Sequence, residues 1–121
     1  MNDEIRLVSE LSGGTYKNSC GCEIAVVKLQ NNIMMTAKEI AKLYGVSRAY
    51  VAQCLGKFWK SGEFQKKLVS AVLTHRASDD KLYRTTYYNQ EIIVAFGRFV
   101  KTDEVERFKN WLNSDSTKRL S

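Results

Sequence analysis

TAKEIAKLYGVSRAYVAQCL, residues Thr36 to Leu55, is the stretch from which the rest of the chain can be read. It has the form of a helix-turn-helix. Thr36 followed by Glu39 has capping-box spacing: the threonine side chain accepts from the Glu39 amide and the glutamate reaches back to the Thr36 amide. Ile40, Ala41, Leu43 and Tyr44 then recur at helical spacing and mark one apolar face. Ala41 is small where a second helix must cross closely. Gly45 follows at the point where a left-handed backbone is needed. Val46 fills the corner, Ser47 caps a second helix, and Val51, Cys54 and Leu55 give that helix an inner face.

The remaining residues of the second helix, Arg48, Ala49, Ala52, Gln53, Gly56 and Lys57, form its outer face. This is the face a recognition helix turns to the major groove. Arg48 can read guanine and Gln53 adenine through paired hydrogen bonds, and the small residues Ala49, Ala52 and Gly56 let the backbone approach. The same pattern also suits a helical hairpin whose outer face is only solvated.

Charge is concentrated in the same region. Lys38 to Arg84 holds ten Lys+Arg against four Asp+Glu, a balance of +6 that equals the net charge of the 121-residue chain. A local basic surface is the expected footprint of phosphate contact. The length suits a single domain with one core. No apolar run approaches the roughly 20 residues of a membrane span. The N-terminal MNDEIRLVSE lacks a basic-then-apolar signal pattern, so a cytoplasmic location and no membrane partner are expected.

Three cysteines, Cys20, Cys22 and Cys54, argue against a disulfide framework. Cys54 reads as a small core hydrophobe. Cys20 and Cys22 could begin a metal site, but Cys54 and His75 are the only additional candidates counted for a four-ligand zinc set. Two free thiols are therefore the expectation, with no metal and no cofactor.

The flanking segments read in order. Met1 to Tyr16 suits either a short helix or a strand, interrupted by a flexible Ser12-Gly13-Gly14 break. Glu23 to Leu29 and Ile33 to Met35 read as two strands joined at Gln30-Asn31-Asn32. Phe58, Trp59 and Phe64 are expected to close the core. Val69 to Arg76 and Leu82 to Tyr88 read as a second hairpin, whose Arg76, Lys81 and Arg84 are candidates for phosphate contact, although Asp79 and Asp80 at the tip oppose it. His75 reads as a strand residue with a satisfied hydrogen bond. Asn89 caps a helix running toward Val100, in which Gly97 marks a close contact or an early stop. Thr102 caps a last helix with Asp103 and Glu104 at its positive end and Val105, Phe108, Trp111 and Leu112 on its apolar face. The expected fold is therefore α+β: a winged helix-turn-helix with an N-terminal β-hairpin, a wing hairpin and two C-terminal helices, flanked by flexible residues 1–19 and 114–121.

In this order the sequence resembles the N-terminal part of the RhuM-type virulence proteins. The resemblance runs from about Glu23 to Asn113. It rests on LYGVSR at 43 to 48 with KFWKSGEF at 57 to 64, on YYN at 87 to 89 passing into EIIVAFGRFV, and on RFKNWL at 107 to 112, which carries the family's Phe-x-x-Trp. It implies a bacterial or prophage protein with a DNA-binding-like domain. Members of that family continue into a further C-terminal region.

The leading expectation is a DNA-binding regulator from a prophage or mobile element. Arg48 and Gln53 would read bases of double-stranded DNA, and Ala49 and Ala52 would admit the backbone. Ser47, Lys57, Lys60, Lys81 and Arg84 would lie near phosphates. The alternative is a small inhibitor, such as an anti-CRISPR, that uses the same shell against a host defence or regulatory protein. An enzyme is not expected: there is one histidine, no Gly-rich phosphate loop and no carboxylate pair at acid/base spacing. A homodimer would let paired modules read two half-sites, with Phe108, Trp111 and Leu112 as a candidate interface.

Overall fold

The computed structural model describes residues 11–76, 78–100 and 102–114. Five strands, β1 (Ser12–Lys17), β2 (Glu23–Leu29), β3 (Asn32–Thr36), β4 (Ser70–Arg76) and β5 (Leu82–Asn89), form one antiparallel sheet in the order β1-β2-β3-β5-β4. Five helices accompany them: α1 (Ala37–Tyr44), α2 (Arg48–Ser61), α3 (Lys66–Val69), α4 (Gln90–Ala95) and α5 (Glu104–Leu112). A 3-10 turn at Phe96–Arg98 follows α4. The architecture is α+β.

The β2–β3 turn follows from its residues. Gln30 and Asn31 take φ of 50° and 68°, the left-handed pair that matches the twist of a tight hairpin, and Leu29 then faces Asn32. Successive side chains along a strand point to opposite faces. Ile24, Val26, Ile33, Met35 and Tyr88 accordingly face the helices, in a core shared with Ile40, Leu43, Val51, Cys54, Phe58, Ile92, Phe96 and Phe108. Their neighbours Val27, Met34 and Tyr87 join Leu73 in a smaller cluster on the other face.

The helix pair α1–α2 is built by local chemistry. Thr36 Oγ1 accepts from the Glu39 amide at 3.2 Å. Gly45 ends α1 at φ 67°, and the Val46 N–H reaches back to Ala41 O at 3.0 Å. Ser47 Oγ accepts from the Tyr50 amide at 3.1 Å to open α2. Phe58 is enclosed edge-to-face by Phe64 and Phe96. Trp59 stacks on Tyr88, and Cys54 is a buried free thiol.

The structure departs from the sequence reading at several points. The two hairpins are not separate: β3 pairs with β5, Thr36 against Tyr87, and one sheet results. Ser12-Gly13-Gly14 is no break but the first half of β1, with Gly13 opposite Val27 and Gly14 opposite Val26. Residues 12–19 thus belong to a strand and its turn, while residues 1–10 and 115–121 of the expected flexible flanks lie outside the described residues. α3 is an additional single turn. The helix expected to run from Asn89 toward Val100 ends at Ala95, although Asn89 Oδ1 caps it as expected by accepting from Glu91 and Ile92. Gly97 then permits a close crossing, since a Cβ there would sit 2.9 Å from Val105 Cγ2. Glu39 does not complete the capping box. Its carboxylate accepts from the Ala25 amide at 3.0 Å instead, and so tethers α1 to β2.

Glu104, read as an acid at a helix start, is in fact 4% exposed. It accepts from Tyr16 Oη at 2.6 Å and from the Ser19 amide and hydroxyl at 2.9 and 2.8 Å. Burial works to raise its pKa. The Tyr16 and Ser19 hydrogen bonds and the nearby Arg107 charge outweigh burial and hold the carboxyl below the usual carboxylate range. Beside it the buried Asn18 donates to Lys42 O and Leu43 O, both at 3.2 Å, and accepts from the amides of Cys20 and Cys22 at 3.1 and 2.8 Å. The β1–β2 turn is thereby fastened to the end of α1 and the start of α5. The apolar face of α5 is spent on the core: Phe108 is fully buried, and Trp111 and Leu112 pack against it. That removes Phe108 as a dimer contact, while Trp111 and Leu112 stay partly exposed.

Candidate nucleic-acid interface

Every residue singled out on the outer face of α2 is exposed: Ser47, Arg48, Ala49, Ala52, Gln53, Gly56, Lys57 and Lys60. The cause is the helical period, because Val51, Cys54, Leu55 and Phe58 take the inner face. Lys81 and Arg84 on the β4–β5 hairpin are exposed as well.

These residues are not equivalent in position. Arg48 and Arg84 line one groove, together with Lys38, Thr36, Glu39, His75, Thr85 and Thr86. The groove exists because β3 stops at Thr36, opposite Tyr87, while β5 begins five residues earlier, at Leu82. Leu82 to Thr86 therefore pair with β4 alone and leave an open edge toward the helices. Across that gap lie the first turn of α1 and the first residue of α2. Both helices thus begin at the groove, and helix starts carry partial positive charge and unpaired N–H groups.

The charges reinforce the same sign. Lys38, Arg48 and Arg84 form no ion pair among the described residues, whereas Lys42, Arg76, Arg98, Arg107 and Lys109 are each paired with a carboxylate. The groove's carboxylate, Glu39, is committed to the Ala25 amide and lies 3.7 Å from Lys42 Nζ. On the groove wall His75 Nε2 and Tyr87 Oη are 3.2 Å apart and their rings stack, which gives His75 the satisfied partner expected of it. Burial, and after it the Glu39 charge, raises the Tyr87 phenol above its ordinary pKa. The phenol stays protonated and can serve as a donor.

The other candidates lie apart from this groove. Ser47 Oγ is occupied by its cap bond. Lys57 Nζ sits 5.2 Å above the Phe99 ring, a cation–π contact that draws it along the helix flank. Lys81 belongs to the hairpin tip, where its amide donates to Asp79. Arg76, another phosphate candidate, is paired with Asp80 at 2.9 Å. The reading of the sequence did not bring Lys38, His75, Thr85 and Thr86 into this groove. Lys38 was discoverable, as the first basic residue of a helix whose cap had been identified.

Cys20 and Cys22 are exposed free thiols. Among the described residues no three His, Cys, Asp or Glu side chains converge in a way that could hold a metal ion. No described helix is long and apolar enough to cross a membrane. No family model matches the sequence, and comparison with curated proteins and with solved structures finds no match.

Proposed function

We propose that this chain is a DNA-binding regulator built as a winged helix, in which α2 enters the major groove of double-stranded DNA and the β4–β5 hairpin follows the adjacent backbone. The order β3, α1, α2, β4, β5, with only the single turn α3 between α2 and β4 and with β3 beside β5, supports the winged-helix reading. Arg48 and Gln53 are the base-reading residues, and Ala49, Ala52 and Gly56 allow the helix to approach. Lys38 and Arg84 hold phosphates on either side of the groove, with Lys57, Lys60 and Lys81 as outlying positive charge. The resemblance to RhuM-type proteins supports a bacterial prophage or mobile-element setting.

One observation carries this reading. Arg48 and Arg84 come from different elements, reach the same groove at the start of two helices, and have no carboxylate partner among the described residues. An arginine kept for solubility has no reason to converge with a second one; a shared anion supplies the reason.

The test is binding of the full chain to duplex DNA as a function of salt. Log affinity should fall with log salt at about −0.9 per phosphate neutralised. The charge reversals Arg48→Glu and Arg84→Glu together should weaken binding by about a hundredfold while leaving thermal stability unchanged. A salt-independent response, or a double variant that binds like the parent, would overturn the proposal. A host protein captured stoichiometrically after nuclease treatment, in place of DNA, would assign the groove to an acidic protein surface.

A further inference from the structure

We propose that Cys20 and Cys22, on the β1–β2 turn, form a two-thiolate site for a soft monovalent cation of the copper(I) class. Both thiols are free and exposed, and the fold uses neither. Neither side chain belongs to the core, and the hydrogen bonds of both residues among the described residues are made by the backbone alone. Residues two apart in sequence have Cα atoms within about 7 Å of each other, so both sulfurs can reach one ion. The turn is ordered before any ligand arrives. Asn18 Oδ1 accepts from the Cys20 and Cys22 amides at 3.1 and 2.8 Å, and the Asn18 amide donates to Cys22 O at 3.0 Å. The two cysteine backbones are thereby gathered around one side chain, which is itself anchored to Lys42 O and Leu43 O of α1. Ligands carried on an ordered loop lose little freedom on binding, which favours chelation.

The number and softness of the ligands select the ion. Among the described residues no third His, Cys, Asp or Glu completes a set with these two, and Cys54 is buried. One chain therefore does not supply the four ligands of a structural zinc. Copper(I) favours thiolate sulfur over carboxylate oxygen and is satisfied by two such ligands. Binding takes one proton from each thiol, forms two sulfur–copper bonds and leaves the site with one negative charge. Lys17 offsets that charge. Its Cε lies 3.9 Å from where a Cβ on Gly21 would sit, so its side chain runs over the residue between the two thiols. Glu23 stands opposite Lys17 in the strand pair, but no ion pair joins them. The inference does not depend on what the groove binds.

Anaerobic titration of the full chain with copper(I), in competition with a chromogenic copper(I) chelator, tests it. The chain should take about one ion from the chelator and release about two protons as it does so. Cys20→Ser and Cys22→Ser should each weaken binding by about a hundredfold, because one remaining thiolate loses the help of its neighbour. Lys17→Glu, with both thiols intact, should weaken it by about threefold. Circular dichroism should report an unchanged fold for both serine variants, because the altered side chains are exposed. Sedimentation should show that the loaded chain has the same mass state as the metal-free chain. A chain that leaves all the copper with the chelator, binding that survives either serine substitution, or an ion shared between two chains would overturn the proposal.

Discussion

The two long hairpins of the sheet end in opposite ways. The β1–β2 turn is fastened into the body of the molecule: Asn18 bonds the carbonyls that end α1, and Tyr16 and Ser19 converge on the buried Glu104 of α5. Among the described residues the β4–β5 tip bonds only to itself, through Arg76 with Asp80 and Asp79 with Lys81 and Tyr83. Their compositions do not announce this difference, since both turns are polar. What separates them is where the hydrogen bonds go. Polar groups satisfied within the body of the chain hold the fold together, and a hairpin satisfied only locally stays exposed.

Breaking the fastened end should cost most. Glu104→Ala strands the buried Tyr16 hydroxyl and takes the shared acceptor from two Ser19 donors of the exposed turn, and should destabilise the fold by about 3 kcal/mol in urea unfolding. The same carboxylate sets a pH dependence. Its folded pKa is depressed, so its contribution is complete above the unfolded value near about 4.3 and is lost as pH falls through the lower folded value. Stability curves of the parent and of Glu104→Ala should therefore converge in acid. Asn18→Ala comes next, at about 2 kcal/mol, because two carbonyls of α1 and two turn amides lose their partner. At the free end, Asp79→Asn with Asp80→Asn should shift stability by no more than about 0.5 kcal/mol, as expected for exposed pairs. A tip change as costly as Asn18→Ala would erase the contrast.

The sequence made local structure legible and long-range structure much less so. Thr36, Gly45, Ser47 and Asn89 announce helix ends because a cap needs only the next few residues, and the period of α2 separates Arg48 and Gln53 from Val51 and Cys54 for the same reason. The strands β2 and β5 declare themselves by β-branched and aromatic content. β1 does not, because Ser12, Gly13 and Gly14 become a strand only where β2 supplies the opposite backbone. The joining of two hairpins through Thr36 and Tyr87 spans 51 residues and leaves no local mark. Glu39 was misread, and the partners of Glu104 went unseen, for a related reason. Each sits where a helix start welcomes an acid, and nothing nearby reveals that Ala25 or Tyr16 will be its partner. The candidate site divides along the same line: the α2 face was visible, and Lys38 could have been, while His75 enters only once β5 lies across from α1.

Thr36 is the last residue of β3 and also the cap of α1, so sheet and helix meet with no linker between them. A joint without slack transmits geometry rigidly. One inserted residue would turn α1 by about 100 degrees and carry Lys38 away from Arg84. The width of the groove is therefore set by the backbone at Thr36, and side-chain exchange alters its lining without altering its span.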